Sequence, residues 1–86
     1  MNLSFQDRGW EDLQYWITTD AKIAKKLIRL INETLKNPYS GIGKPEPLRY
    51  EFSGYWSRRI NEEHRLVYTI IGDDLVIVQA RYHYKK

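Results

Sequence analysis

Cysteine is absent from this 86-residue chain. Its absence removes disulfides, thiol nucleophiles and thiolate metal sites together, and a cysteine-free domain suits the reducing cytoplasm, the expected location. Histidine is scarce as well. His64 and His83 stand at unrelated positions, a poor pattern for binding a metal, so neither metal nor cofactor is expected. The three prolines all fall within residues 38–47, which leaves the rest of the chain free for regular structure. No apolar run approaches the roughly 20 residues of a membrane span, and no basic segment followed by an apolar stretch marks a signal peptide at the N-terminus.

What is present fits one small globular domain, residues 1–86, with 42% hydrophobic residues. A net charge of +3 and a pI near 9.2 favour a polyanionic partner. Seven tyrosines and three tryptophans supply rings on which bases stack, or simply large side chains for a small core.

The chain divides by its apolar period. Leu3 to Gln6 reads as a short strand, and a helix is expected from about Gly9 to Thr18, with Trp10, Leu13, Trp16 and Ile17 toward the core. Asp20 is suited to cap a second helix from about Ala21 to Lys36, whose apolar stripe is Ile23, Leu27, Leu30, Ile31 and Leu35. Asn37-Pro38 ends it. After the loop at 38–47 the period becomes two. Leu48, Tyr50 and Phe52 alternate with Arg49 and Glu51 as a half-buried strand would. Tyr55 to Ile60, Arg65 to Ile71 and a long last strand from Leu75 to Tyr84 follow, separated by polar or glycine turns. The expectation is an α+β fold: two N-terminal helices covering one face of a mostly antiparallel, twisted sheet, with the other face open.

Several residues have the chemistry of RNA cleavage. Glu46, held between Pro45 and Pro47, is a stiffly mounted carboxylate suited to act as a base. Arg58, Arg59, Arg65 and Arg81 lie on adjoining strands. If the turns have odd spans, Arg59, Arg65, Arg81 and His83 line one face; even spans scatter them. His83 follows Arg81 by two and can both donate and accept a proton near neutrality, whereas His64, in a polar turn, reads as structural. Gly41-Ile42-Gly43-Lys44 is no phosphate loop, because no helix follows it.

Four blocks together resemble the YoeB toxin family of the RelE-like superfamily. They are Gly43-Lys44-Pro45-Glu46-Pro47-Leu48, Ser53-Gly54-Tyr55-Trp56-Ser57-Arg58-Arg59-Ile60, Glu63-His64-Arg65-Leu66-Val67-Tyr68 and Ala80-Arg81-Tyr82-His83-Tyr84. The resemblance spans essentially the whole chain. It implies a fold like that of small microbial ribonucleases, and an endoribonuclease that cuts messenger RNA in the ribosomal A site without a metal. It implies Glu46 as general base, His83 as general acid and Arg65 as the phosphate-stabilising cation, with Arg59 and Tyr84 in support. Lys44 and Arg49, and with them Arg58 and Arg81, are the expected RNA contacts. The expected partners are the ribosome and a YefM-like antitoxin with an extended tail over the active face. Operator DNA would be met only through the antitoxin complex, and a homodimer is expected too. Lys85 and Lys86 extend the chain past Tyr84, where members of the family often stop. Two other readings use parts of the same residues. A basic module that blocks the ribosome without cleavage would need the arginines but not Glu46 or His83. A RelE-like protein acting on a protein target would be expected to lack that pair.

Overall fold

The computed structural model of the chain describes residues 1–83. Strand β1 (Asn2–Phe5) leads into helices α1 (Asp7–Thr19) and α2 (Ala21–Lys36), followed by β2 (Glu46–Pro47), β3 (Tyr55–Arg59), β4 (Arg65–Ile71) and β5 (Asp74–Gln79). The strands form one sheet in the order β1-β5-β4-β3-β2. Every neighbouring pair is antiparallel except β1 with β5, which run parallel. A parallel pair needs a crossover, and here both helices and three strands lie between its two members in sequence. The expected α+β class holds. No helix among the described residues is long and apolar enough to cross a membrane.

Helix α2 forms as its sequence implies. The Asp20 carboxylate accepts from the backbone N–H groups of Lys22 and Ile23, at 3.1 and 3.3 Å, and so satisfies two donors that the first turn leaves open. Leu27, Leu30 and Ile31 are buried against Leu66 and Tyr68 of β4 and Leu75 and Ile77 of β5. Full burial of each such side chain contributes about 1.5–3 kcal/mol, so this layer is the main source of stability. Helix α1 departs from the expected stripe. Its buried residues are Gly9, Asp12, Leu13 and Trp16, while Trp10 and Ile17 are 49% and 56% exposed. The inward face is rotated because α1 lies directly on the β5 backbone: a Cβ on Gly9 would fall 2.5 Å from the Ile77 carbonyl oxygen.

Two expected strands are corrected. The alternation from Leu48 to Phe52 does not make a strand; Tyr50–Phe52 is a turn of 3-10 helix, and Tyr50 has φ of 58°. Glu46 pairs with Ser57 and Pro47 with Trp56, and the Leu48 N–H reaches the Tyr55 carbonyl at 2.8 Å. That register closes the ladder at Leu48, so residues 49–54 have no facing strand among the described residues and wind into the connection. The last strand stops at Gln79 rather than continuing to Tyr84. Its end is set by side chains of α1, described below.

Gly9→Ala should lower thermal stability although alanine is the better helix former. The helix-propensity gain is about 1 kcal/mol, while forcing a methyl into a packed backbone contact costs about 1–3 kcal/mol. Because the clash is with backbone, the cost lies at the upper end of that range, and the net loss of about 2 kcal/mol should lower Tm by about 8 °C or more, read by circular dichroism melting. A higher Tm would show that α1 can shift off β5 freely.

Candidate active site

Directly paired residues share a face of a sheet. The register therefore places Glu46 of β2, Ser57 of β3, Val67 of β4 and Gln79 of β5 in one row across the open face. At about 4.8 Å per strand the row spans about 14 Å. Arg59 and Arg65 are directly opposed and form the next row, about 7 Å further along the strands. A bulge between Val67 and Tyr68 brings Gln79 rather than Val78 opposite Val67, and so returns Gln79 to the open face.

His83 is brought to this face by a set of clamps on residues 80–82. Asp12 and Trp16 of α1 take both backbone groups of Ala80: its N–H donates to Asp12 Oδ2 at 2.9 Å, and its carbonyl accepts from Trp16 Nε1 at 2.8 Å. With both groups engaged, Ala80 cannot continue a ladder, and β5 ends. Arg8 steadies Asp12 through its Nε at 3.1 Å. Tyr82 then adopts φ of 64°, a left-handed conformation that costs about 1 kcal/mol or more for a residue with a side chain. Two bonds hold it there: its N–H donates to Nδ1 of buried His64 at 2.7 Å, and its carbonyl accepts from the Arg65 N–H at 3.0 Å. The His64 ring stands edge-on to Trp16, centroids 4.7 Å apart.

The turn Asn61–His64 joins Arg65 to His83. Arg65 Nη1 donates to the carbonyls of Asn61, Glu62 and His64 at 2.6, 3.2 and 3.1 Å. His83 Nε2 lies 3.2 Å from the same Glu62 carbonyl. A carbonyl only accepts, so Nε2 carries the proton and Nδ1 is the ring nitrogen left for other work. Glu46 stands on the other side of the arginine row, exposed, and no residue among those described ion-pairs or hydrogen-bonds with its carboxylate.

Arg58 lies on the opposite face, fully buried. Its guanidinium gathers the loop that precedes β2. Nη1 donates to Ile42 O at 3.0 Å, Nη2 to Ser40 O at 2.9 Å and to Asn37 O, and Nε to the Tyr68 hydroxyl at 3.2 Å. Tyr68 in turn donates to Pro38 O at 2.5 Å. Burial raises the Tyr68 pKa, against the opposing effect of Arg58, so the hydroxyl keeps the proton that it donates. Gly43, at φ of 80°, lets the loop pass within contact of Leu30 and Arg58, and its carbonyl accepts the Arg59 N–H at 2.6 Å.

The expected cluster is thus partly assembled. Glu46, Arg59, Arg65 and His83 come together around the open face, with Lys44 and Arg49 exposed on the chain flanking Glu46. Arg58, expected at RNA, is instead a core residue with its donors turned to the loop. Arg81 leaves the arginine row because β5 ends before it, and its guanidinium lies 3.6 Å from the centroid of Tyr15 on α1. Tyr84, with Lys85 and Lys86, lies outside the described residues. Among those described, no three histidine, aspartate or glutamate side chains converge to hold a metal ion.

The sequence model for a YoeB-like toxin of bacterial type II toxin–antitoxin systems matches residues 5–84. The chain belongs to this family. Toxin YoeB of Streptomyces coelicolor is 54% identical over 84 residues, covering 98% of this chain and all of that one. Among solved structures, a YoeB/ParE toxin from Agrobacterium tumefaciens superposes with a TM-score of 0.95 at 43% identity, over 98% of this chain and all of that one. Staphylococcus aureus YoeB gives a TM-score of 0.89 as a dimer and 0.88 in a heterotetrameric YoeB-YefM toxin–antitoxin complex, each at 42% identity over 98% of both chains. In this YoeB-family chain the positioning residues Asp12, Trp16 and Gln79 escape a reading of motifs. The available signal was Asp12, an acidic residue at core spacing beside Leu13 and Trp16, where a buried carboxylate needs donors.

Arg58→Lys should fail to substitute for Arg58. An ammonium offers no planar fork to reach three carbonyls and a hydroxyl at once, and hydrogen bonds to charged groups contribute about 1.5–3 kcal/mol each. We expect a loss of about 3–5 kcal/mol in urea unfolding, a large part of a small domain's stability. A midpoint unchanged from wild type would show that the loop holds its shape without the fork.

Proposed function

We propose that this chain is a ribosome-dependent endoribonuclease that cuts messenger RNA in the A site and so inhibits translation. The observation that carries the reading is the shared Glu62 carbonyl, which couples Arg65 to His83 while Glu46 stands unpaired on the other side of the arginine row. Glu46 takes the proton of the 2′-hydroxyl next to the scissile phosphate. The freed oxygen attacks phosphorus in line. Charge that builds on the phosphoryl oxygens is met by Arg65, whose guanidinium is held by the carbonyls of the 61–64 turn, and by Arg59, which stands opposite it in the strand register. The bond from phosphorus to the 5′-oxygen breaks, and His83, protonated at Nδ1 with Nε2–H on Glu62, donates to that leaving oxygen. The products are a 2′,3′-cyclic phosphate and a 5′-hydroxyl. Both proton transfers and the charge stabilisation come from side chains, so the scheme calls for no metal or cofactor. Lys44 and Arg49 hold the RNA on the Glu46 side, and Tyr84 supports His83.

The partner in this reading is a YefM-like antitoxin, as the family and the Staphylococcus aureus YoeB-YefM complex support, and an extended acidic tail of that partner would cover the arginine-rich face. Operator DNA is engaged only by that complex. A homodimer fits the dimeric relative. Action on ribosomes places the protein in the cytoplasm.

Toeprinting on a defined messenger in a reconstituted translation system tests the nuclease. A new 3′ end within the A-site codon is expected. Glu46→Ala and His83→Ala should each slow single-turnover cleavage by about 10²- to 10⁴-fold, the range for loss of an acid or base. A translation block with intact messenger would instead mean steric inhibition. For the antitoxin, binding measured across a salt series should be nanomolar or tighter at low salt and weaken steadily, because screening acts on exposed charge pairs. Salt-independent affinity would put the contact on an apolar surface elsewhere.

A further inference from the structure

The turn Asn61–His64 grips the chain after β5 at two successive residues. The Glu62 carbonyl lies 3.2 Å from His83 Nε2. Two residues on, the buried His64 ring accepts the Tyr82 N–H on Nδ1 at 2.7 Å. The turn itself is braced. Asn61 Oδ1 accepts from the N–H groups of Glu63 and His64 at 2.9 and 2.7 Å, and the His64 carbonyl accepts the Ile60 N–H at 2.9 Å. A backbone N–H only donates, so Nδ1 of His64 is bare and Nε2 carries the proton, 3.6 Å from Glu63 Oε1. We propose that His64 is a positioning residue for the acid of the reaction and holds it only while the ring is neutral, so that a proton taken up at Nδ1 unseats Tyr82 and with it His83. The inference rests on the assignment of His83 as the acid in the proposed reaction.

A protonated ring has no way to keep this bond. An imidazolium donates from both nitrogens, and two donors 2.7 Å apart repel. Tyr82 then loses one of the two bonds that sustain its left-handed backbone, with φ of 64°. The other, from the Arg65 N–H to its carbonyl, fixes one end of the residue alone. His83 comes next in the chain, so a change in the Tyr82 backbone carries its ring away from the Glu62 carbonyl. The elements packed on the His64 ring are its own turn, α1 and the chain after β5. Among the described residues, the charged group that meets the ring is the Glu63 carboxylate. From α1, Asp12 is spent on the Ala80 N–H and Arg8, and Tyr15 lies under Arg81. Arg81 is held over the Tyr15 and Tyr82 rings, 3.6 and 4.7 Å from their centroids. Arg65, the residue after His64, is directed at the turn carbonyls, and His83 at Glu62.

NMR of the protein without RNA, from about pH 8 down to about pH 5, tests the clamp directly. The ring nitrogen shifts of His64 should show its proton on Nε2 at neutral pH. As the ring takes up a second proton, the Tyr82 amide should exchange with solvent at least about tenfold faster, while the amides of Leu66 and Tyr68 keep their protection. A neutral ring with its proton on Nδ1 overturns the proposal. So does a ring that stays neutral to about pH 5, or a Tyr82 amide indifferent to the titration. None of these readings needs cleavage, so they stand even if wild type cuts no messenger. Single-turnover cleavage on stalled ribosomes reads the consequence. Falling pH makes His83 more available as an acid, so a loss on the acid side must come from another group. Wild type should lose rate there, with the midpoint of the Tyr82 amide change. His64→Asn puts Oδ1 in place of Nδ1 as an acceptor that does not titrate; it should keep most of the neutral rate and lack that loss. His64→Leu has no acceptor and should lower the saturating rate about tenfold at neutral pH, with little change in the half-saturating protein concentration. An acid-side loss that persists in His64→Asn overturns the proposal, and so does a His64→Leu variant that cleaves like wild type.

Discussion

The structure depends on one buried cation. Arg58 is the largest of the fully buried side chains, and its guanidinium is met by backbone carbonyls of Asn37, Ser40 and Ile42 and by the Tyr68 hydroxyl. Burying a charge is costly unless it is bonded on every side. That constraint fixes the path of the loop, because the carbonyls must converge where the guanidinium is. The loop's path then fixes Gly43 against Arg59 and Glu46 opposite Ser57, and so sets where the carboxylate meets the sheet. Core and open face are linked through neighbouring residues of one strand: Arg58 points inward and ties the loop, while Arg59 points outward beside Arg65.

A second constraint works from the other end. The chain after β5 is held by bonds from side chains far away in sequence. Asp12 and Trp16 reach Ala80 from α1, and His64 reaches Tyr82 from the turn before β4. These bonds are short, buried or partly buried, and made to backbone groups, so they determine direction rather than add general cohesion. They also sustain the left-handed Tyr82, a conformation that would not persist unaided. The proposed acid is thus carried on irregular backbone pinned by polar contacts, while the proposed base sits on the two-residue strand β2, whose preceding loop is tied down by Arg58. This division allows a small two-layer domain to hold reactive groups on one face while its hydrophobic layer lies on the other.

The sequence by itself determined the α+β class, the capped and amphipathic α2, and membership in the toxin family, while the opposed pairing of Arg59 with Arg65 was one of two alternatives that the register settled. These features rest on local periods, on a cap and on motifs, all of which are legible along the chain. Only the tertiary structure decided that Arg58 faces inward, that Arg81 stacks on Tyr15, that residues 49–54 wind instead of pairing, and that β5 stops at Gln79. The reason is the same in each case. Alternation tells which residues share a face but not which partner strand is present, nor which distant side chain will claim a backbone group. A strand-like pattern at 48–52 had no strand to face among the described residues, and the one that begins at Ala80 met Asp12 and Trp16 at its first residue.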